Sequence, residues 1–566
     1  MFGIEQLLGK VCGRGNGGVT VGELQDLLYH NKFSDYLPWL AYDPEERLYH
    51  NTDNTVGIVW ECTPLVFSAE KTLQMPDALL RLPLPPMSVL QFLLHADSNI
   101  KPILEAYRAL RPAEDPLIRD AVENYCRFLE TSTQGLPQTS GIPLRNIRLI
   151  VSLKFDADSD VKASEIMSLA QETLNGMHLS PRVMPPSSLL EWLRRLLNDK
   201  VPEVKGKSGD ELASLYNDTV PIGKQVLFGD TPISVEFDHL QTGGKFWRCM
   251  TPKVYPAEVD PLQTKELFGG IWGLRSDNEQ HRVPFLYSLN IIFDNLKHHL
   301  RSKCDLMLSQ SAAGSFARSL RRKQEEHTWA IDRIDQGQVF ARVMPAMWFI
   351  GDSFAQADDA LKRGKTMWEG AGYVMQEDKG ILAAMLLSSL PMGLRASRHN
   401  LNMLERDTIA AADSICNVLP VQGDFSGSHE PVMILQGRSG QICPFSIFSK
   451  MANNFNGFIA GTSGGGKSFF LNMLAFCLLT AGTLLRIIDI GGSYKRLAHI
   501  FGGKYLDFGR DSDICLNPFS NIVDMEEDLA AISAIVMQMV YSASDSPVIA
   551  EEEYTLAKDA VKWAYA

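Results

Sequence analysis

Eight residues, Gly461-Thr462-Ser463-Gly464-Gly465-Gly466-Lys467-Ser468, satisfy G-x-x-x-x-G-K-[ST] at every required position. Residues of these types at this spacing bind phosphate. Glycine has no Cβ, so successive backbone N–H groups turn inward and close around phosphate oxygens. A helix starting at about Lys467 aims its unsatisfied N–H groups and positive dipole end at the same point. Lys467 is then the residue to reach β- and γ-phosphates and the candidate catalytic group, and the Ser468 hydroxyl is the candidate Mg²⁺ ligand. Four of the six residues from Gly461 to Gly466 are glycine, which is more than the pattern demands. With Phe469, which opens the next segment, these residues form the candidate nucleotide-binding set.

Such a loop works only between a strand and a helix. Phe455 to Ala460 is a short apolar run that predicts a buried strand, and Phe469 to Leu479 predicts a helix packed on a sheet. Leu484 to Ile490 predicts a further strand that ends near Asp489, superficially a Walker B carboxylate. It is followed by a tight turn, Ile490-Gly491-Gly492-Ser493-Tyr494, and not by a second acidic residue. Two readings of Asp489 stand: a contact to Mg²⁺ beside the phosphate loop, or a capping residue before a turn. Beyond it, Lys504 to Phe508 predicts a short strand, Leu516-Asn517-Pro518-Phe519 a rigid turn, and Glu526 to Tyr541 a helix. No apolar run ending in Asp-Glu follows the loop. Either the missing carboxylates lie beyond residue 566 of a longer chain or the enzyme is incomplete; the first is favoured, since a doubly wound core needs about 200 residues and only about 130 remain.

The 566 residues are too many for one core and predict three or four domains. Apolar content of 45% and charged content of 21% describe a globular protein. With 54 basic against 67 acidic residues the net charge is -13, which gives no bulk electrostatic case for nucleic-acid binding. The nine cysteines are scattered and never in C-x-x-C spacing, which argues for a reducing compartment and against zinc or a disulfide framework. Met1 to Leu8 shows no secretory signal pattern. Ser468 to Leu485 runs eighteen residues without a charge, near the length of a membrane span, but Ala481-Gly482-Thr483 divides it into a helix and a strand.

Residues 13–18 satisfy G-x-G-x-x-G without a preceding strand and read as a loop before a helix at Thr20 to Leu28. A turn at Tyr42 to Glu46 leads to predicted strands at Thr55 to Trp60, Val66-Phe67, Ser88 to His95 and Ile147 to Phe155. Helices are predicted at Ser164 to Met177 and Ser187 to Leu197, and a linker at Lys200 to Glu211. Further strands are expected at Lys245 to Tyr255 and Val283 to Phe293, then a long helical tract from Asp294 to about Ile334. Its basic run Arg318 to Lys323 reads as a solvated helix face, with a DNA or lipid contact as the alternative. His298-His299 lacks the i, i+4 spacing of a metal site. Ala346 to Ile350 and Tyr373 to Gln376 read as strands around a helix at Gln356 to Glu369. Val432 to Leu435 and Ile442 to Phe448 read as a hairpin through Gly437-Arg438-Ser439-Gly440.

The ordered set Leu419-Pro420-Val421-Gln422-Gly423, Gly437-Arg438-Ser439-Gly440-Gln441, Gly461 to Ser468, Asp489 to Tyr494 and Leu516-Asn517-Pro518-Phe519 resembles the VirB/TraC-type ATPases of conjugation and type IV secretion systems, in their TraC/TraU/DotO branches. The turn Tyr42-Asp43-Pro44-Glu45 and its strands are similar to that family's N-terminal region. The resemblance implies an α/β chain: an α+β N-terminal region followed by the first part of a RecA-like P-loop ATPase domain. The expected division is a module at 1–200, a second with long helices at 212–425, and a truncated ATPase domain at 431–566. It also implies ATP and Mg²⁺ as cofactors, with Lys467 and Ser468 in the nucleotide and metal roles. The expected partners are copies of itself in a hexamer, other subunits of the secretion apparatus, and secretion or pilus substrates. The expected location is cytoplasmic, peripheral to the bacterial inner membrane. The family's second carboxylate motif and arginine finger have no match in these 566 residues. Three readings therefore stay open: an ATPase that energises assembly or transfer, a nucleotide-gated structural hub with little hydrolysis, and a DNA translocase.

Overall fold

The computed structural model describes residues 32–66, 77–112, 115–137, 141–158, 162–198, 209–229, 231–256, 266–269, 281–309, 315–428, 430–508, 514, 517–520, 522, 524–542 and 550–565. The predicted helix at Thr20 to Leu28 and the loop at 13–18 lie outside these residues, as does most of the predicted linker. Two compact units emerge: one runs to Ala460 and takes in Thr480–Leu484, the other is Gly461–Leu479 with Leu485 onward.

The first unit is built on one antiparallel sheet. Its first half contributes β1 (Trp39–Asp43), β2 (Leu48–Asn51), β3 (Thr55–Cys62), β4 (Val89–Asp97), β5 (Asn146–Asp156) and β6 (Arg182–Val183). Helices α1 (Lys101–Ala109) and α2 (Pro116–Ser132) form a hairpin between β4 and β5, and α3 (Ala163–Gly176) and α4 (Pro186–Leu197) flank β6. Asp115 starts α2 by accepting from the Leu117 N–H at 2.8 Å, with Pro116 as first helical residue. After the short α5 (Gly209–Ser214) the second half contributes β7 (Ile233–Val235), β8 (Leu240–Thr242), β9 (Lys245–Val254), β10 (Phe285–Ile292), β11 (Phe340–Gly351) and β12 (Val374–Glu377). Here α6 (Leu296–Ser309) and α7 (Ser315–Asp335) form the hairpin between β10 and β11, and α8 (Phe354–Gly370) and α9 (Leu382–Ser389) flank β12. Two short helices, α10 (Arg398–Leu404) and α11 (Ala412–Cys416), bracket β13 (Thr408–Ala411), which pairs with β11.

The strand order is β1-β2-β3-β5-β4-β10-β11-β9-β8-β7, with β6 on β3 and β12 on β9. Read outward from the centre, both halves give the same sequence of neighbours: β4-β5-β3-β2-β1 on one side, β10-β11-β9-β8-β7 on the other. The helices repeat as well, a hairpin and then two helices around a short strand. The first unit is thus an internal duplication about a pseudo-two-fold axis normal to the sheet, where β4 meets β10 in register from Val89↔Ile292 to Ala96↔Phe285. Both expected modules contribute to this one continuous sheet.

Each face of the sheet is covered. Alternation along the strands sends Phe92, Val151, Tyr287 and Phe349 to one core with α3 and α8, and Leu93, Ile150, Leu286 and Trp348 to the other with α4 and α9. Burial on both faces explains why the central strands read as nearly unbroken apolar runs in the sequence. A lysine in this interior needs a partner, and Lys154 donates to Asp53 at 2.7 Å and to the carbonyl oxygens of Met392 and Leu394 at 2.9 and 3.2 Å. The seven described cysteines carry free thiols.

The expected hairpin is present as β14 (Met433–Gln436) and β15 (Ile442–Phe445). It is held beside β5: the Arg145 N–H donates to the Gly440 carbonyl and the Ile442 N–H to the Arg145 carbonyl, both at 2.8 Å. Gly440 adopts φ +88°, and a Cβ there would lie 2.3 Å from the Pro143 carbonyl oxygen.

The second unit contains α12 (Lys467–Thr480), α13 (Lys495–Ile500), α14 (Met525–Val540) and α15 (Glu551–Tyr565). The last two are joined by a hydrogen bond from the Tyr554 hydroxyl to the Ala530 carbonyl at 2.9 Å. As expected, the uncharged run from Ser468 breaks at Ala481-Gly482, where Gly482 has φ +84°. Among the described residues no helix is long and apolar enough to cross a membrane. Three strand expectations are corrected: Phe455 to Ala460, Leu484 to Ile490 and Lys504 to Phe508 are irregular. An apolar run reports a tendency to be buried, but a strand exists only through lateral pairing, and no described residue pairs with these segments. Their apolar side chains are accordingly open: Phe458 is 93% exposed and Ile488 100%. Val66 is also irregular; its neighbour Leu65 forms an isolated bridge to Gln422, and Phe67 lies outside the described residues.

Candidate functional site

Helix α12 begins at Lys467, where the sequence requires it. Its first internal restraint is the Phe470 N–H donating to the Gly466 carbonyl at 2.9 Å. By helix geometry the N–H groups of Lys467, Ser468 and Phe469 have no partner inside the helix, so three donors face out of its N-terminus. Gly464 and Gly466 have φ +77° and +86°, values that glycine adopts freely and other residues resist. The Gly465 N–H closes the turn on the Thr462 carbonyl at 3.0 Å.

Glycine is needed here for space too. A Cβ on Gly461 would stand 3.1 Å from Cγ of Lys467, and one on Gly465 would stand 3.0 Å from the Thr462 carbonyl oxygen and 3.1 Å from its hydroxyl. Lys467 lies back across the loop: its Nζ donates to the Gly461 carbonyl at 2.8 Å. Every residue from Gly461 to Phe469, including Thr462 and Ser463, is solvent-exposed, with Phe469 at 80%. The result is a solvent-exposed glycine turn at a helix N-terminus, with one ammonium group lying across it. It suits an anion with several oxygens.

Asp489 heads the turn after the irregular segment Leu484 to Ile490, and its Oδ2 accepts from the Tyr494 N–H at 3.2 Å. Burial, and then the charge of Asp489, raise the Tyr494 hydroxyl above the ordinary tyrosine value. Asn472, which no sequence motif singles out, ties this turn to the loop. The Asn472 side-chain amide donates to the Ser468 carbonyl at 2.8 Å and to the Ser493 carbonyl at 3.4 Å. Asn472 lies one helical turn beyond Ser468, and a lone amide in the apolar run Phe469 to Leu479 was the signal available. The structure therefore joins the Lys467–Ser468 helix start and the turn headed by Asp489. Asn517 caps the Asn517-Pro518-Phe519 turn through the Phe519 N–H at 3.0 Å.

The TraC protein family model matches residues 33–394, and the TraG P-loop domain model matches residues 442–566. The chain is therefore mixed α/β, with a sheet-rich N-terminal region and a P-loop domain toward its C-terminus. Protein TraC of Escherichia coli (strain K12) is 22% identical over 528 residues, covering 88% of this chain and 58% of that protein. The chain thus spans a little over half the length of that relative.

Proposed function

The chain belongs to the TraC protein family, and on that premise we propose that it is an ATPase that energises assembly or substrate transfer in a conjugation or type IV secretion apparatus. The observation that carries this reading is the seat of Lys467. It is the first residue of a 14-residue helix, and its Nζ lies 2.8 Å from a carbonyl of the glycine loop it closes. On this reading the triphosphate of ATP occupies the loop Gly461 to Gly466, and Lys467 exchanges its bond to Gly461 for β- and γ-phosphate oxygens. The N–H groups of Ser468 and Phe469 complete the cradle.

Mg²⁺ fits the donors nearby, which are hard oxygens: the Ser468 hydroxyl and the Asp489 carboxylate would hold it. When bound, it would neutralise negative charge on the phosphates. The chain's own residues contribute position and positive charge to in-line attack by water. Residues 431–566 serve as the N-terminal part of the ATPase domain, and the modules at 1–200 and 212–425 dock on other subunits of the apparatus. The assembly is a hexamer in the cytoplasm, peripheral to the bacterial inner membrane, acting on secretion or pilus substrates.

A second reading, a nucleotide-gated hub with little hydrolysis, is favoured by the engagement of Asp489 with the Tyr494 N–H, which suits a capping role. Steady-state phosphate release and nucleotide binding by the purified full-length protein, with and without Lys467→Ala, separate the two. Turnover that Lys467→Ala removes supports the ATPase; binding without turnover supports the hub. Stimulation by DNA at low salt would favour a translocase instead.

A further inference from the structure

The internal duplication provides a control for one element that the nucleotide reading leaves unused. The hairpin α1–α2 of the first half and the hairpin α6–α7 of the second occupy equivalent places, each joining the strand at the pseudo-two-fold axis to its outer neighbour. The first hairpin has helices of 9 and 17 residues and holds the lead-in to β14. There the Tyr125 hydroxyl donates to the Ile434 carbonyl at 2.6 Å, and Arg111 donates to the Val432 carbonyl. Its charges are mixed: Lys101, Arg108, Arg111, Arg119 and Arg127 stand among Glu105, Glu114, Asp115, Asp120, Glu123 and Glu130.

The second hairpin is longer, with helices of 14 and 21 residues, and its charge is sorted along its length. From Leu296 to Lys323 there are seven lysines and arginines against one acidic residue, Asp305, in a chain whose net charge is -13. The acidic residues Glu325, Glu326, Asp332 and Asp335 follow nearer the sheet. There Asp335 pairs with Lys297 and with Arg301, the latter at 3.6 Å, closing the base of the hairpin. Leu296, Leu300 and Ala330 are buried at this base, so packing and ion pairs there fix the hairpin to its half of the sheet. Toward the tip, Arg321, Arg322 and Lys323 are exposed; Arg322 has 83% of its side chain open and pairs with Glu326 one turn on at 3.3 Å, an exposed contact that a lipid phosphate can replace. A 21-residue helix is about 30 Å long, enough to carry this cluster well away from the sheet.

The fold does not require this polarity, because the equivalent hairpin lacks it. We propose that the α6–α7 hairpin docks on an anionic phospholipid surface, with Arg321, Arg322 and Lys323 contacting lipid phosphates. Two features favour lipid over nucleic acid. Between Lys303 and Arg318 the sequence carries Leu306-Met307-Leu308 and Phe316, so basic and apolar residues share one stretch, a composition that suits a headgroup layer. The strongly acidic remainder of the chain would oppose a long nucleic acid, whereas a membrane need meet only the tip. The inference rests on the reading that the protein works at a membrane, and names the surface that does so; it is independent of the phosphate loop.

Flotation of the full-length protein with vesicles tests it, comparing phosphatidylcholine alone with equal parts phosphatidylcholine and phosphatidylglycerol. Binding is expected only to the anionic vesicles and should weaken as salt rises. Arg321→Gln, Arg322→Gln and Lys323→Gln together should reduce it about a hundredfold, from about 1 kcal/mol for each basic residue near the surface. The matched triple variant in the first hairpin, Lys101→Gln, Arg119→Gln and Arg127→Gln, should bind as wild type. Equal binding to both vesicle types, no binding to either, indifference to the first triple variant, or displacement by duplex DNA at equal phosphate concentration would each overturn the proposal. Lys467→Ala should float normally and the Arg321/Arg322/Lys323 variant should keep its phosphate release, so failure of the nucleotide reading is distinguishable from failure of this one.

Discussion

Nζ of Lys467 donates to the carbonyl oxygen of Gly461 at 2.8 Å, so the ammonium group is already stationed over the loop that it must serve. Removing it should leave the loop intact, since the turn is closed separately by the Gly465 N–H on Thr462. Lys467→Ala is therefore expected to lower phosphate release by the full-length protein at least about a hundredfold, the scale for losing one preorganised charge-stabilising group. Circular dichroism should be unchanged.

Gly466→Ala tests the backbone separately from the charge. At φ +86° an alanine is strained by about 1–2 kcal/mol, which should weaken nucleotide binding by about tenfold. Titration with a fluorescent ATP analogue measures this. An unchanged affinity would show that the loop does not need this conformation to bind.

Asp489→Asn keeps an oxygen that can accept from the Tyr494 N–H but removes the charge. If the carboxylate serves Mg²⁺, the variant should require several-fold more Mg²⁺ for half-maximal nucleotide binding. A capping residue alone would leave the Mg²⁺ titration unmoved. Asn472→Ala, which frees Ser493 from the helix, should shift the same titration in the same direction.

The sheet unit should be sensitive to mild acid. His95 lies within the core with Nδ1 accepting from the Trp192 indole N–H at 3.1 Å, and burial pushes its imidazole down to about 4. His281, facing the Leu267 carbonyl at 3.0 Å, is likewise pushed down to about 4 by burial. In the unfolded chain both take up protons below the ordinary value near 6.5, while in the folded chain they remain neutral. Their contribution is therefore complete above about pH 6.5 and is lost as pH falls toward 4, by about 2 kcal/mol per histidine at pH 5. Urea unfolding at pH 7 and pH 5 should show the drop, and His95→Gln should remove roughly half of the part that these two histidines carry.

Lys154 bonds across the duplication, from β5 of the first half to the carbonyls of Met392 and Leu394 beyond the second. Lys154→Met strands Asp53, which is 12% exposed, and should cost about 3–5 kcal/mol. Adding Asp53→Leu should recover much of this, so the double variant unfolds at a higher temperature than Lys154→Met alone. Calorimetry decides it.

The phosphate loop, its helix and the long central strands were legible because each follows from local chemistry: glycines where φ is positive, and apolar runs where both faces are buried. The duplication was not. β4 reads Val-Leu-Gln-Phe-Leu-Leu-His-Ala-Asp and β10 reads Phe-Leu-Tyr-Ser-Leu-Asn-Ile-Ile, and a packed core accepts such different apolar sets provided volume and pattern are kept. The outlying strands β7 and β8, three residues each, are too short to show a period. The three strands expected around and after the phosphate loop failed in the opposite way. Phe458 and Ile488 carry the apolar character of strand residues, but sequence does not say whether a neighbour is there to pair with them.

The meeting of β4 and β10 at the sheet's centre also governs how this chain comes off the ribosome. β4 is completed early, with every residue from Val89 to Ala96 destined for burial, yet one of its two neighbours is made roughly 200 residues later, about 10–40 s at ordinary elongation rates. Through that interval the nascent first half carries a bare, apolar strand edge, the kind of surface that recruits chaperones or joins the wrong chain. Its own second half is the intended cover, and slow synthesis up to β10 is the period in which misassembly competes with folding.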